Sequence, residues 1–384
     1  MRRQLYEAEH TDYRRSVRTF LEREVVPHYD EWSEQHLVPR ELFTGMGALG
    51  ALGLDVPEEH GGAGLHDFRF NCILTEEAQA LGVMPALLGV NLQADVVLPY
   101  LTDLTDDVQR KRWLPGVASG ETIAAIAMTE PGTGSDLAGI TTRAVRDGDD
   151  YVVHGAKTFI TNGINADLVV VAVRTGDHPH RGISLLVVER GMPGFGRGRN
   201  LRKMGQHAQD TAELVLEGVR VPADNLLGPE GSGFAGLQEN LGRERLSIAV
   251  SAIAGARAAL DLTIGYVRER SVFGKPVGAL QHTRFRLAEL ATEIDLGTQF
   301  VDRCVLDLND GSLDPVDAAK AKWWTTELHS RVTDACVQLH GGYGYMHEYP
   351  IARAWADSRV ARIYGGTTEI MKEIIGRSLE LERA

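Results

Sequence analysis

The spacing of apolar residues changes twice along the chain, and this change constrains the fold more than any other feature. Up to about residue 122 apolar residues recur at helical spacing, as at Val17 and Leu21. Short β-branched runs separated by Gly and Asp turns then follow, and after them the helical spacing returns. We therefore predict an α+β chain. Its parts are an N-terminal α-helical domain over 1–122, an antiparallel β domain over 123–230 and a C-terminal four-helix bundle over 231–384.

The individual elements follow from the same patterns. Strands are predicted around 151–153, 168–173, 183–188 and 214–216, and breaks in the first helical part at 57–64 and 115–116. The bundle helices are predicted over roughly 233–270, 280–309, 314–340 and 367–382.

Charge and composition exclude some function classes. The chain has 40 basic and 53 acidic residues, a net charge of −13, which disfavours binding to nucleic acid or to an anionic membrane surface. No stretch of about 18 apolar residues occurs, so we expect no membrane span. The N-terminus shows no signal or transit pattern, and we expect a cytoplasmic protein.

The three cysteines, Cys72, Cys304 and Cys336, are scattered and odd in number. They match no metal-ligand spacing and no disulfide framework, so we predict no metal site and a reducing compartment.

Five segments rich in Gly and hydroxyl residues stand out; they cover 127–136, 157–163, 268–281, 338–345 and 364–369. Their glycines let backbone amides approach a planar or anionic ligand, and cations beside a Gly turn suit a pyrophosphate. Each segment also has a purely structural interpretation as a Gly-rich turn, an Asn-Gly strand end or a helix terminus. Spacing alone leaves both interpretations open.

Glu244 lies in an apolar helical row with Leu237, Leu241 and Ile248. Burial would raise its pKa towards that of a general base working near neutral pH. The alternative is a surface carboxylate paired with Arg243 or Arg268.

Taken in order, and over nearly the whole chain, the five segments resemble the acyl-CoA dehydrogenase family. The resemblance is closest to the long-chain and isovaleryl types, at 338–345, 347–351 and 363–372. It implies FAD between the β domain and the bundle, an acyl-CoA substrate and a homotetramer. The positions that match FAD contacts are Met128, Thr129, Gly134, Ser135, Phe159, Thr161, Arg270, Phe273, Gln281, Gln338, Gly341, Gly342, Thr367 and Glu369. Those from Arg270 to Gly342 match the adenine-pyrophosphate half, partly in a neighbouring subunit.

One departure from the family pattern bears on the catalytic base. Many members carry that Glu directly after the Tyr at position 364, where this chain has Gly365. The long-chain and isovaleryl types place the base earlier and directly before an Arg, which matches Glu244 and Arg245. The resemblance therefore implies that Glu244 is the base and that Gly365 leaves the space of the alternative Glu. It also implies acyl-CoA contacts at Ser135, Leu241, Arg245, Gly365 and Gly366.

The implied reaction is α,β-dehydrogenation of an acyl-CoA thioester to a trans-2-enoyl-CoA. Glu244 would take the α-proton, a hydride would pass to flavin N5, and an electron-transferring flavoprotein would accept the electrons. An acyl-CoA oxidase, a flavin monooxygenase on the same scaffold, and a non-catalytic partner subunit are the alternative functions.

Overall fold

The computed structural model describes residues 3–381, and the predicted ends at residues 1 and 384 lie outside them. The first part of the chain is helical, as predicted. Its helices are α1 (Ala8–Phe20), α2 (Tyr29–Gln35), α3 (Arg40–Ala48), α4 (Arg69–Ala80), α5 (Met84–Asn91), α6 (Leu98–Asp103) and α7 (Asp107–Ser119). A π-helical turn, Leu92–Val97, joins α5 to α6.

The prediction of a break at 115–116 is wrong, because Pro115 lies inside α7. The helix ends only at Gly120, which adopts the left-handed conformation (φ 76°) that favours glycine.

The middle of the chain forms a sheet. Its strands are β1 (Ala124–Ala127), β2 (Arg143–Asp147), β3 (Asp150–Thr161), β4 (Leu168–Arg174), β5 (Ile183–Glu189), β6 (Phe195–Asn200), β7 (Thr211–Pro222) and β8 (Leu226–Leu227). They pair in the order β6-β7-β3-β2-β4-β5-β8, with β1 beside β4. The long ladders are antiparallel, as predicted, but β1 runs parallel to β4. The sequence carried no signal for the direction of β1, because the pairing partner of this strand lies about 40 residues later in the chain.

The last part is dominated by three long helices: α8 (Gly233–Glu269), α9 (Gln281–Asn309) and α10 (Pro315–His340). A short hairpin of β9 (Ser271–Val272) and β10 (Lys275–Pro276) separates α8 from α9. The helices α11 (Pro350–Ser358) and α12 (Thr368–Ser378) complete this part and pack against α10. The predicted fourth helix starts correctly but is shorter, and residue 382 lies outside the described residues.

Two helical segments, Met84–Asp103 and Gly233–Glu269, are long and apolar enough to cross a membrane. Their most apolar windows are 83% and 50% buried inside the protein, as core helices are. Two such helices are weak grounds for a membrane span, and its absence stays a prediction. Cys72, Cys304 and Cys336 are buried free thiols.

Candidate functional site

Glu244 lies on α8 at a cavity to which all three parts of the chain contribute. This space, here called the site cavity, has a volume of about 950 Å³ not filled by protein, part of which is open to solvent. Its wall includes α5 and the following π-helical turn, the ends of β1 and β3, one face of α8, and Tyr364 with Gly365. On α8 the lining residues are Glu244, Ser247, Ile248 and Ser251. Of the predicted row, Glu244 and Ile248 therefore face this space, whereas Leu237 and Leu241 do not.

The surroundings of Glu244 fit a carboxyl group of raised pKa. Its side chain is 5% exposed, and burial raises its pKa to about 7, although the Tyr100 hydroxyl donates a 2.7 Å hydrogen bond to Oε1. The interpretation as a surface carboxylate paired with Arg243 is wrong, because Arg243 forms its ion pair with Asp55. Nor does Glu244 pair with Arg268, and within residues 3–381 it forms no salt bridge.

A buried ion pair shapes the β-domain side of the site cavity. Lys157 Nζ donates to the Met128 carbonyl at 3.0 Å and to Glu130 Oε1 at 2.9 Å. Glu130 also accepts hydrogen bonds from the backbone N–H groups of Thr141 and Thr142. Separating the two partners would leave a buried charge unpaired, which is energetically costly. The ion pair therefore holds the segment after β1 against β3. Met128 and Thr129 thereby reach the cavity, as Phe159 and Thr161 do from β3.

Phe159 adopts a conformation that is uncommon for a bulky residue. Its φ is 60°, and it lies at an irregularity of the β3–β7 pairing between Lys157 and Ile160. The side chain is 67% exposed although it borders the cavity. A large apolar ring held in a strained backbone and left uncovered is typical of a surface that a ligand covers.

The turn after Tyr364 closes the cavity on the bundle side. Gly365 and Gly366 have φ values of 60° and 92°, which favour glycine. The expectation that Gly365 leaves vacant space is wrong, because a Cβ atom there would lie 2.3 Å from Ile248 Cδ1. The side chain of Ile248, one turn from Glu244 on α8, already fills that space.

Lys322 on α10 is a buried residue of this region that the sequence did not single out. It is 1% exposed, and its ammonium donates a hydrogen bond to the Gly366 carbonyl. Burial and the nearby Arg245 lower its pKa to about 7. Lys322 therefore ties the turn to the bundle.

Arg245 is buried, 7% exposed, and lies outside the lining of the site cavity. Its guanidinium forms no hydrogen bond within the described part of the chain, and Nε is enclosed without a partner. Burial lowers the pKa of Arg245. An unpaired buried cation of this kind favours a polar or anionic ligand beside it.

Several other predicted site residues also lie outside the cavity lining: Gly134, Ser135, Leu241, Gly366, Thr367 and Glu369. Gly134, Ser135 and Glu369 are exposed. Thr367 caps α12, since its side chain accepts a 3.4 Å hydrogen bond from the Ile370 N–H.

A second group of predicted residues meets at the end of α10. Arg270, Gln338, Gly341 and Gly342 line a shallow hollow beside Tyr343. The Arg270 guanidinium lies 5.5 Å from the centre of the Tyr343 ring. Two other residues that were predicted to contact the adenine-pyrophosphate half of FAD lie outside this hollow. Phe273 is 95% exposed in the β9–β10 hairpin, and Gln281 is exposed at the start of α9.

One group of potential metal ligands occurs in the described residues, Glu7, Glu9 and His10, whose ligand atoms lie within 4.8 Å of one another. Both ring nitrogens of His10 already have partners, the Glu7 N–H at 3.3 Å and Asp67 Oδ2 at 3.1 Å. This use of the imidazole leaves it no free ligand atom for an ion.

Tyr100 and Lys322 are the main site residues that sequence reasoning missed. Ile248 was placed in the row of Glu244, but its contact with the turn at Gly365 was not predicted. Tyr100 lies 144 residues from Glu244, and nothing local in the sequence relates the two. A signal for Lys322 existed, since it shares a helical face with buried residues of α10 such as Thr325 and Thr326.

Three family models match consecutive parts of the chain. They describe the acyl-CoA dehydrogenase N-terminal domain over 7–121, the middle domain over 125–219 and the C-terminal domain over 231–380. The mitochondrial long-chain specific acyl-CoA dehydrogenase of Sus scrofa is 45% identical over 380 residues, which cover 98% of this chain and 88% of that protein.

Solved structures agree with the family models. The crystal structure of an acyl-CoA dehydrogenase from Geobacillus kaustophilus has a TM-score of 0.96 at 50% identity and covers 98% of this chain and 99% of that one. A glutaryl-CoA dehydrogenase from Mycobacterium smegmatis in complex with FADH2 has a TM-score of 0.91 at 30% identity, with 99% and 96% coverage. The chain therefore belongs to the acyl-CoA dehydrogenase family of FAD-dependent oxidoreductases.

Proposed function

We propose that Glu244 is the base of an α,β-dehydrogenation that converts an acyl-CoA thioester to a trans-2-enoyl-CoA. The observation that carries this proposal is a buried carboxyl group at the site cavity with a pKa of about 7. Such a group is partly ionised at neutral pH and accepts a proton from a carbon acid better than an ordinary carboxylate does.

The residues at the cavity fit FAD. Phe159 offers an uncovered ring, and Asn91, which also lines the cavity, has a buried Oδ1 without a partner. Met128, Thr129, Phe159 and Thr161 would hold the flavin end. Bound FAD supplies the acceptor for the hydride that leaves the β-carbon. The hollow lined by Arg270 and Gln338 would contact the adenine-pyrophosphate half of an FAD molecule.

The thioester carbonyl must be polarised while Glu244 removes the α-proton. We assign this role to the backbone N–H of Gly365, since the turn borders the cavity and is held by Lys322. Arg245, a buried cation without a hydrogen-bond partner in residues 3–381, supports the ligand near the thioester. Its replacement by Ala should weaken substrate binding more than FAD retention.

The Glu244→Gln variant tests the base. It should keep FAD and bind acyl-CoA, because the amide has the same shape, but lose turnover by about 10²–10⁴-fold. Flavin content, acyl-CoA binding and anaerobic flavin bleaching measure the three properties. Glu239→Gln, at an exposed position of the same helix, is the matched control. Full activity of Glu244→Gln would exclude Glu244 as the base.

We further propose, from the family resemblance, that an electron-transferring flavoprotein reoxidises the enzyme. Reduced protein should then react faster with that flavoprotein than with oxygen in a stopped-flow comparison. Rapid oxygen consumption would instead identify an acyl-CoA oxidase.

A further inference from the structure

A second cavity adjoins the site cavity. This distal cavity has a volume of about 1300 Å³ not filled by protein, part of which is open to solvent. Met84, Ser251 and Tyr364 line both cavities, so the two spaces meet at these side chains.

A single face of α8 runs past both spaces. Glu244 and Ile248 line the site cavity, Ser251 lines both, and Gly255 lines the distal cavity. These positions recur at helical spacing, and therefore the combined space follows the axis of α8. Gly255 lies eleven residues beyond Glu244 on this helix.

The wall of the distal cavity contains polar groups without partners. His329 is 6% exposed, and neither of its ring nitrogens forms a hydrogen bond within residues 3–381. Gln206 is 9% exposed and has an enclosed Oε1 without a partner. An apolar chain end placed here would leave these groups unsatisfied, whereas a polar one can pair with them.

The packing holds His329 in this position. A Cβ atom at Gly255 would lie 2.6 Å from His329 Cε1, so the absence of a side chain on α8 makes room for the imidazole. Burial lowers the pKa of His329 to about 4. The neutral ring offers one donor and one acceptor, which matches a hydroxyl group.

The length of α8 gives the distance between the two sites. At 1.5 Å per residue, eleven residues span about 16 Å. An extended acyl chain advances about 1.2 Å per single bond, the same advance per bond as in an extended protein backbone. Roughly 13 bonds of an acyl chain therefore cover that span. A short acyl chain would end inside the site cavity, and a long one would reach His329.

We propose that the distal cavity is a subsite for a hydroxyl group near the end of a long acyl chain, recognised by His329. The preferred substrates are then long-chain acyl-CoA thioesters that carry a hydroxyl group far from the thioester. This inference rests on the proposed dehydrogenase function and specifies its substrate class.

The test compares matched thioesters on the FAD-loaded enzyme: tetradecanoyl-CoA with ω-hydroxytetradecanoyl-CoA, and hexanoyl-CoA with ω-hydroxyhexanoyl-CoA. In each pair we divide kcat/KM of the ω-hydroxy thioester by kcat/KM of the unsubstituted one, which gives the hydroxy-to-methyl ratio. This ratio should be about three- to tenfold higher for the long pair than for the short pair, because one hydrogen bond contributes a free energy of that size. His329→Leu should abolish this difference, and His329→Gln, which keeps hydrogen-bonding groups, should retain part of it. Flavin content checks the fold of both variants.

The outcomes separate the two levels of the proposal. If both long thioesters are oxidised and their hydroxy-to-methyl ratio of kcat/KM equals that of the short pair, the hydroxyl subsite is disproved while the dehydrogenase function stands. The same conclusion follows if His329→Leu leaves the long-pair ratio unchanged. If none of the four thioesters reduces the flavin under anaerobic conditions, the dehydrogenase function itself is wrong.

Discussion

At the scale of single residues, the chemistry of Glu244 depends on two opposing effects. Burial raises the pKa of its carboxyl group, while the hydrogen bond from Tyr100 and the charge of Arg245 lower it. The result, about 7, is set by partners on two different helices. Tyr100 therefore lowers the pKa of the Glu244 carboxyl group by its hydrogen bond and keeps its own proton, because burial and the adjacent carboxyl raise the pKa of Tyr100 far above its usual range.

Replacing Tyr100 by Phe should shift the pH profile of the enzyme. Because the base acts only when ionised, kcat/KM should rise with pH through a midpoint near 7. Loss of the hydrogen bond to the carboxylate raises the pKa of Glu244, so the midpoint moves up by about 1 pH unit or more. Steady-state profiles of kcat/KM measured below, through and above neutral pH show the shift.

Tyr151→Phe is the control for this profile, since it removes a comparable 2.8 Å hydrogen bond, to Glu230, in the β domain. An unchanged midpoint in Tyr100→Phe would show that this hydroxyl does not tune the base.

At the scale of elements, α8 organises the site. One face of this helix carries Glu244, packs Ile248 beneath the turn at Gly365 and continues to Gly255 in the distal cavity. The position of the turn relative to Glu244 therefore depends on this apolar contact as well as on the hydrogen bond from Lys322. A mutation that alters this contact should change stability and activity together.

Gly365→Ala should lower the free energy of unfolding in two ways. Its φ of 60° costs about 1–2 kcal/mol with any Cβ atom. The new Cβ would also collide with Ile248 Cδ1. Gly311→Ala is the matched control, because Gly311 has a similar φ of 67° and open space around its Cα.

Adding Ile248→Val to Gly365→Ala removes the colliding methyl group and should recover part of the loss. Chemical denaturation of the three variants measures these effects. Equal losses in Gly365→Ala and Gly311→Ala would mean that the Ile248 contact is irrelevant.

At the scale of the whole molecule, the β9–β10 hairpin presents an uncovered aromatic side chain at the surface. Phe273 is 95% exposed and has a φ of 50°, beside the hollow at Arg270. The family resemblance implies that this surface reaches the FAD of a neighbouring subunit in a homotetramer. The assembly stays a prediction.

Phe273→Ser should weaken FAD binding. Loss of a buried Phe contact costs about 1.5–3 kcal/mol, which corresponds to roughly 10- to 100-fold weaker binding. FAD retained after gel filtration and the mass from sedimentation measure the effect and the tetramer. Val108→Ser, at a 76% exposed position on α7, should retain FAD. Equal FAD retention in both variants, or a monomeric native mass, would contradict the prediction.

The sequence predicted the three-part fold because apolar spacing is a local property of helices and strands. It also predicted that Glu244 lies in an apolar row, and the burial of that row follows from the same periodicity. It did not predict the parallel pairing of β1 or the continuation of α7 through Pro115. Both features depend on the packing of other segments around the strand or the helix.

The sequence by itself therefore determined the order of the three parts, the family resemblance and the choice of Glu244. Only the tertiary structure decided that Tyr100 meets this carboxyl group, that Ile248 fills the space beside Gly365 and that His329 faces the distal cavity. The physical reason is packing. Contacts between distant segments arise from how the filled volumes of whole elements fit together, and no local pattern in the chain records them.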